Sequence, residues 1–167
     1  MDMPRAHFSW SQLNLWETSP KAYIDRYIHN KPMFETPALL YGKKFADAME
    51  AGKSDDPFID KMVKIIPKGI VTEHKREAKF EGINLLGFED SSELGGFIEY
   101  KTGKVEWTQE RANNHGQLHF YALIRLLQGM PMPNVVLYWL PTEDNKLIMK
   151  IWEFRVKITD KHIENIK

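Results

Sequence analysis

Asp90, Glu99 and Lys101 are the residues of this chain whose types and spacing could do chemistry. They lie in one short stretch: Gly87-Phe88-Glu89-Asp90, a polar turn over Ser91 to Gly96, then Ile98-Glu99-Tyr100-Lys101-Thr102-Gly103. In an extended strand alternate residues share a face, so Glu99 and Lys101 project together while Ile98 and Tyr100 point the other way. A hairpin over the turn brings Asp90 near Glu99. Two carboxylates at one corner repel unless a cation lies between them, and oxygen ligands without thiolates suit magnesium or manganese. Lys101 can help position or deprotonate an attacking water and can offset charge on a pentavalent phosphate, while the metal polarises a phosphoryl oxygen. The chemistry that fits is phosphodiester hydrolysis. The same residues also read as a turn aspartate beside a surface ion pair on an edge strand, and the triplet alone does not decide between the two.

The elements that must position them follow from periodicity and from the punctuation of Gly and Pro. Ser9 or Ser11 can cap a helix carrying Leu13, Trp16, Tyr23 and Tyr27 at helical spacing, which Pro20 must kink or restart. A second helix is expected from Leu39 to Met49, ending before Gly52, and a short third from Lys61 to Ile66. From Ile70 the texture turns to strand: Ile70, Val71, Phe80, Ile83, Leu85 and Leu86, then Phe97, Ile98 and Tyr100, make a β-meander. Glu106 to Gln128 reads as one helix with Leu118, Tyr121, Ala122 and Leu126 on its buried side, and Gly129 and Pro131 ending it. Strands over Val135 to Leu140 and Leu147 to Val156, joined by a turn at Asp144 and Asn145, complete the chain. Helices, three strands, a helix and two strands imply an α/β fold, a mixed central sheet flanked by helices with a crossover helix inside it.

These residues in this order resemble the RecB-like branch of the PD-(D/E)XK nuclease superfamily, which includes the nuclease domains of RecB and AddB and the Cas4 proteins. Asp90 takes the place of the first acidic residue, Gly87 that of the glycine three positions before it, and Glu99-Tyr100-Lys101 that of the acidic-x-Lys element, extended by Thr102-Gly103. Gln117 and Tyr121 have the spacing of the Gln-x-x-x-Tyr motif, one helical turn apart and facing the same way. Ser9-Trp10-Ser11-Gln12-Leu13 resembles the opening Ser-x-Ser segment, and Ser19-Pro20-Lys21-Ala22-Tyr23 the Cys-Pro-x-x-Tyr position. The likeness spans about residues 8 to 156. It implies one restriction-endonuclease-like domain over residues 1–167 and a magnesium- or manganese-dependent deoxyribonuclease. The activity implied is that of an exonuclease in DNA end processing, recombination or repair. Asp90, Glu99 and the carbonyl of Tyr100 would hold the metal, and Gln117 and Tyr121 would contact DNA or orient Lys101. The alternatives are a catalytically weakened DNA-binding or assembly module of the same fold and a structure-specific endonuclease.

The chain departs from the family pattern twice. Ser19 stands where cluster-bearing members have cysteine, and the chain contains no cysteine, so no iron–sulfur cluster is expected. Gly42-Lys43-Lys44-Phe45-Ala46 aligns with the Gly-x-x-x-His element and places alanine at the histidine ligand. Asp47 and Glu50 could substitute directly or through water, or form a solvated helix face.

Composition limits what else the chain can be. With 23 basic and 23 acidic residues there is no global field to draw it onto DNA or an anionic membrane, so DNA affinity must come from a local patch. Lys43, Lys44, His74, Lys75, Arg76, Lys104 and Arg111 could line such a groove or simply solvate a surface, and Trp10, Trp16 and Trp107 could stack on bases or pack in the core. No apolar run has the length of a membrane span, and the start, with Asp2, Arg5 and His7, lacks a signal peptide's apolar segment. A cytoplasmic protein is expected.

Overall fold

A computed structural model of the chain describes residues 5–167; the first four positions of the expected domain, Asp2 among them, lie outside the described residues. Ser9 caps α1 (Trp10–Thr18) through a reciprocal box in which its own N–H donates to Gln12 Oε1 at 2.7 Å. Pro20 restarts the chain as α2 (Pro20–Tyr23), because a missing N–H costs nothing at the first position of a helix. A π-helical turn over Ile24–Ile28 continues it. Thr36 caps α3 (Pro37–Ala51), and Gly52 ends it in the left-handed conformation, φ 72°. The carboxylate of Asp56 accepts the N–H groups of Phe58 and Ile59, so α4 (Pro57–Ile65) begins earlier than Lys61.

The meander is present as β1 (Val71–Phe80), β2 (Ile83–Ser92) and β3 (Gly96–Gly103), with β2 antiparallel to both neighbours. After α5 (Gln109–Asn113) and α6 (Gly116–Leu127), β4 (Asn134–Glu143) lies parallel to β3 from Gly96 opposite Asn134 to Gly103 opposite Pro141. β5 (Lys146–Leu147) and β6 (Trp152–Val156) both pair antiparallel with β4, completing a six-stranded mixed sheet.

Two further expectations need correcting, and one element lies outside them. The single helix over Glu106 to Gln128 is two: His115 is extended (φ −78°, ψ 108°), and Gly116 starts α6 beneath Trp10. A Cβ at Gly116 would stand 2.1 Å from the Trp10 indole, so packing of α1 on α6 decides the break. The return strand over Leu147 to Val156 is interrupted at Met149, φ 53°, which separates β5 from β6. A terminal helix α7 (Asp160–Ile166), capped by Thr159, was not anticipated, although Thr159 followed by Ile163 and Ile166 at helical spacing signals it.

The sheet divides two cores by strand alternation. Phe97, Val135, Leu137 and Trp139 join Leu118, Phe120, Leu123 and Ile124 of α6 on one face. Ile98, Tyr100, Tyr138 and Leu140 join Phe45 and Met49 of α3 and Ile59, Met62 and Val63 of α4 on the other. The result is the expected α/β fold, a mixed sheet flanked by helices. Among the described residues no helix is long and apolar enough to cross a membrane.

Candidate active site

The site begins with a slip in β2. Glu89 and Ser92 both reach the same Arg125 of α6, at 2.6 Å and 3.0 Å. Three residues apart in a strand, they can share a face only if alternation fails between them. The ladder shows where: Thr72 pairs with Ser91 and His74 with Glu89, while Glu73 and Asp90 are skipped. Glu73 has φ 47°, a left-handed conformation uncommon for a residue with a long side chain. Regular pairing of β2 with β3 also stops, at Ser91 opposite Ile98. The Asp90 side chain fills the gap, its Oδ2 accepting the Tyr100 N–H at 2.8 Å. In a strand the N–H and C=O of one residue leave on the same side, so the Tyr100 carbonyl faces that gap too.

Glu99 and Lys101 share a face, as alternation requires. Lys101 Nζ donates to Glu99 Oε1 at 2.5 Å and to Gln117 Oε1 at 2.7 Å, and Gln117 Nε2 donates to the Tyr121 hydroxyl at 2.9 Å. Gln117 and Tyr121 thus form a relay from α6 that holds the ammonium. Gly87 makes room for it: a Cβ there would lie 2.8 Å from the Tyr121 ring. Tyr121 is also core, 8 % exposed and edge-on to Phe97.

Asp90, Glu99, Tyr100, Lys101 and Gln117 line one cleft of about 510 Å³, closed on its far side by α3 residues including Ala46 and Glu50. Burial pushes the Asp90 carboxyl well above the usual range, and the nearby charge of Glu99 adds to the effect; Lys101 and the Tyr100 amide oppose it. Glu73, which lines the same cleft, is raised by burial and then by the charges of Glu50, Glu99 and Asp47. Burial, helped by the charge of Lys101, lowers His115 to about 4, so near neutral pH it adds no second cation beside the lysine.

A carboxyl whose folded pKa lies above its unfolded value contributes stability that is fully present below the unfolded pKa and is lost as pH rises through the folded one. In EDTA the protein should therefore lose stability as pH rises through the raised Asp90 pKa. Asp90→Asn keeps an acceptor for Tyr100 but carries no charge. Thermal melts in EDTA across a pH series should show it several degrees above wild type at high pH and close to wild type in acid; equal melting temperatures at every pH would remove this account of Asp90.

The donor set fits a hard divalent cation. Glu99 is 1 % exposed, and its Oε2 has no hydrogen-bond partner, a buried acceptor with an open demand for positive charge. Every available ligand is oxygen, from Asp90, Glu99 and the Tyr100 carbonyl, which suits magnesium or manganese. Among the described residues no three histidine, aspartate or glutamate side chains are already drawn together as a metal cage. Asp90 and Glu99 instead hold the Tyr100 amide and Lys101.

Glu73 is the cleft residue that sequence reasoning missed. It reads as one acid in a charged strand, and only its backbone angle sets it apart. Arg76, which sequence reading placed among candidate groove residues, is turned inward: its side chain is 13 % exposed and its Nε lies 3.1 Å from buried Glu89. Lys43, Lys44 and Lys75 are paired with Glu35, Asp55 and Glu77. Trp107 is buried, Trp10 packs on Phe120, and Trp16 is half exposed against Tyr23.

No protein-family model matches the chain, and no curated protein sequence does either. Solved structures do. A candidate exonuclease of Eubacterium rectale superposes with a TM-score of 0.68 at 12% identity, covering 96% of this chain and 76% of that one. SSO0001 superposes with a TM-score of 0.51 at 12% identity, covering 99% of this chain and 75% of that one. The fold is restriction-endonuclease-like. At such identity the likeness extends to the fold and not to its chemistry, so the reading of the cleft rests on this chain's own residues.

Proposed function

We propose that the chain is a single-domain, magnesium- or manganese-dependent deoxyribonuclease of the RecB-like and Cas4-like branch, lacking an iron–sulfur cluster and acting on DNA ends in the cytoplasm. The observation that carries the reading is Lys101 held between Glu99 and Gln117 beside the unpartnered Oε2 of Glu99, with Asp90 in the same cleft. A surface ion pair on an edge strand would not be buried, and Glu99 is. Asp90, Glu99 and the Tyr100 carbonyl would hold the ion, which when bound polarises a phosphoryl oxygen and acidifies water.

The chain's own groups do the rest. Lys101, fixed by the Gln117 and Tyr121 relay, places positive charge where the phosphate gains negative charge, at no cost of reorganisation during the reaction. Neutral His115 beside it leaves that charge undivided. Tyr121, with its own ionisation suppressed by burial, remains a hydroxyl donor and acceptor at neutral pH.

One observation favours a second reading, a weakened DNA-binding module: Ala46 lines the cleft where the family's histidine ligand is expected. The test uses linear and circular DNA, single- and double-stranded, with magnesium, manganese or EDTA. The expected result is metal-dependent loss of linear substrate with circles spared. Cutting of closed circles would move the reading to an endonuclease. Cleavage that survives EDTA would overturn metal dependence, and inert protein that is folded and supplied with metal would favour the module.

A further inference from the structure

We infer that His119 of α6 and His162 of α7 form an acid-released latch, closed while both imidazoles are neutral and opened by protonation, that fastens α7 to the rest of the fold. The inference goes beyond the reading of the cleft and does not depend on it. The two rings are stacked, with centroids 4.3 Å apart and planes within 9° of parallel. Their hydrogen bonds fix where the protons are. His119 Nε2 lies 2.7 Å from the Asn113 carbonyl, which only accepts, so Nε2 carries the proton and the neutral ring keeps its lone pair on Nδ1. His162 has the other arrangement: its Nδ1 accepts the Thr159 N–H at 3.2 Å and must be bare. That bond is half of the capping box that starts α7, the Thr159 hydroxyl accepting the His162 N–H in return. A proton on His162 Nδ1 sets a donor against a donor and opens the box. A proton on each ring sets two cations face to face.

Little else holds α7. Its seven residues are too few for a helix to persist alone in water, and its anchors are Ile163 and Ile166, which join the core that α6 covers. Asn113 extends the latch: its side-chain carbonyl accepts the Lys157 N–H at 2.9 Å, so the residue that receives His119 also holds the segment leading into α7. Burial of His119 keeps its pKa below the ordinary range; the Asn113 carbonyl opposes this, and the charge of His162 adds to it. No carboxylate offsets the charge that acid brings. Arg111 of α5 lies over Trp107, Glu164 of α7 is paired with Lys167, and His115 at the start of α6 is neutral near pH 7. Glu110, Lys157, Asp160 and Lys161 are exposed, and among the described residues no ion pair reaches either ring. A histidine whose folded pKa is depressed contributes stability that is fully present above the unfolded pKa and is lost as pH falls through the folded one. The sign is opposite to that of Asp90, so in EDTA acid should loosen α7 while favouring the hairpin.

The test is amide hydrogen exchange in EDTA, followed residue by residue at about pH 7.5 and about pH 5 and corrected for the intrinsic rate at each. A histidine of ordinary unfolded pKa that must be neutral to dock can weaken docking by about 30-fold over that interval, so protection in α7 should fall roughly 10- to 30-fold while α6 and β3 keep theirs. His162→Gln keeps an acceptor for the Thr159 N–H without a titrating group, and His119→Phe keeps a stacked ring. Each should lessen the fall, and the double variant should show none. The ring-proton shifts of the two histidines in wild type give a second reading that needs no variant: both should move over the interval in which α7 loosens. Protection of α7 that is equal at both pH values would overturn the latch, as would rings that titrate outside that interval. So would a fall shared equally by α6 and β3, or one that persists in full in the double variant.

Discussion

Asp90→Ala and Glu99→Ala should abolish DNA cleavage, and Lys101→Ala should slow it by about two to three orders of magnitude while still binding manganese. The carboxylates act through occupancy: without either, the cation has lost a ligand, and added metal should restore little. Lys101 acts later. It neutralises a neighbour in the ground state, Glu99 Oε1 at 2.5 Å, and supplies charge and proton handling as the phosphate becomes pentavalent. Losing one such preorganised group is worth ~2–4 kcal/mol. Single-turnover rates at saturating magnesium, paired with manganese titrations, separate the two effects. Gln117→Ala should be milder, since it removes the clamp and not the charge. Tyr121→Phe is the better probe of the relay than alanine, because the ring is core. Undiminished cleavage by Asp90→Ala or Lys101→Ala would remove the chemistry from this cleft.

Arg125→Ala should destabilise the fold by ~3–5 kcal/mol, the cost of removing one partner from a buried, hydrogen-bonded ion pair. Arg125 is 1 % exposed and Glu89 0 %. Its Nε and Nη2 donate to the two oxygens of Glu89 at 2.6 Å and 2.9 Å, and Nη2 also donates to Ser92 Oγ at 3.0 Å and to the Gly96 carbonyl. One guanidinium therefore ties α6 to both strands of the hairpin that carries Asp90 and Glu99. Arg76 offers Glu89 a second charge from a poorer angle, since its Nε makes an ion pair without an aligned hydrogen bond. Lysine cannot replace this planar fork, so Arg125→Lys should remain well below wild type. Urea melts should show a lower midpoint at unchanged slope. A loss under ~1 kcal/mol, the scale of a surface pair, would mean that the ion pair is not what fastens the helix.

The hairpin, the order of elements and the mixed sheet were legible because they rest on local signals: a polar turn between apolar runs, alternation in β3, a cap at Ser9 and a stop at Gly52. What was not legible depends on residues far apart in sequence. The break before Gly116 exists because Trp10, from the start of the chain, packs there. The Glu89–Arg125 pair joins positions that show no pattern together, and it exposes the slip in β2 that even alternation hides. Glu73 becomes notable through a backbone angle that no residue type announces. Among the named site residues, Asp90, Glu99, Lys101, Gln117 and Tyr121 do come together, although β2 runs on to Ser92 and takes up the start of the expected turn.

The amide of Tyr100 is held by a side-chain carboxylate and not by the sheet's own ladder. Its proton resonance therefore depends on whether Asp90 is ionised, neutral or drawn toward an ion, a sensitivity that neighbouring amides of β3, paired to backbone carbonyls, do not share. In a nitrogen–proton correlation spectrum one cross-peak would act as an indigenous gauge of the cleft, readable without nucleic acid and without turnover. Ions, inhibitors and acidity could each be ranked by how far they move it.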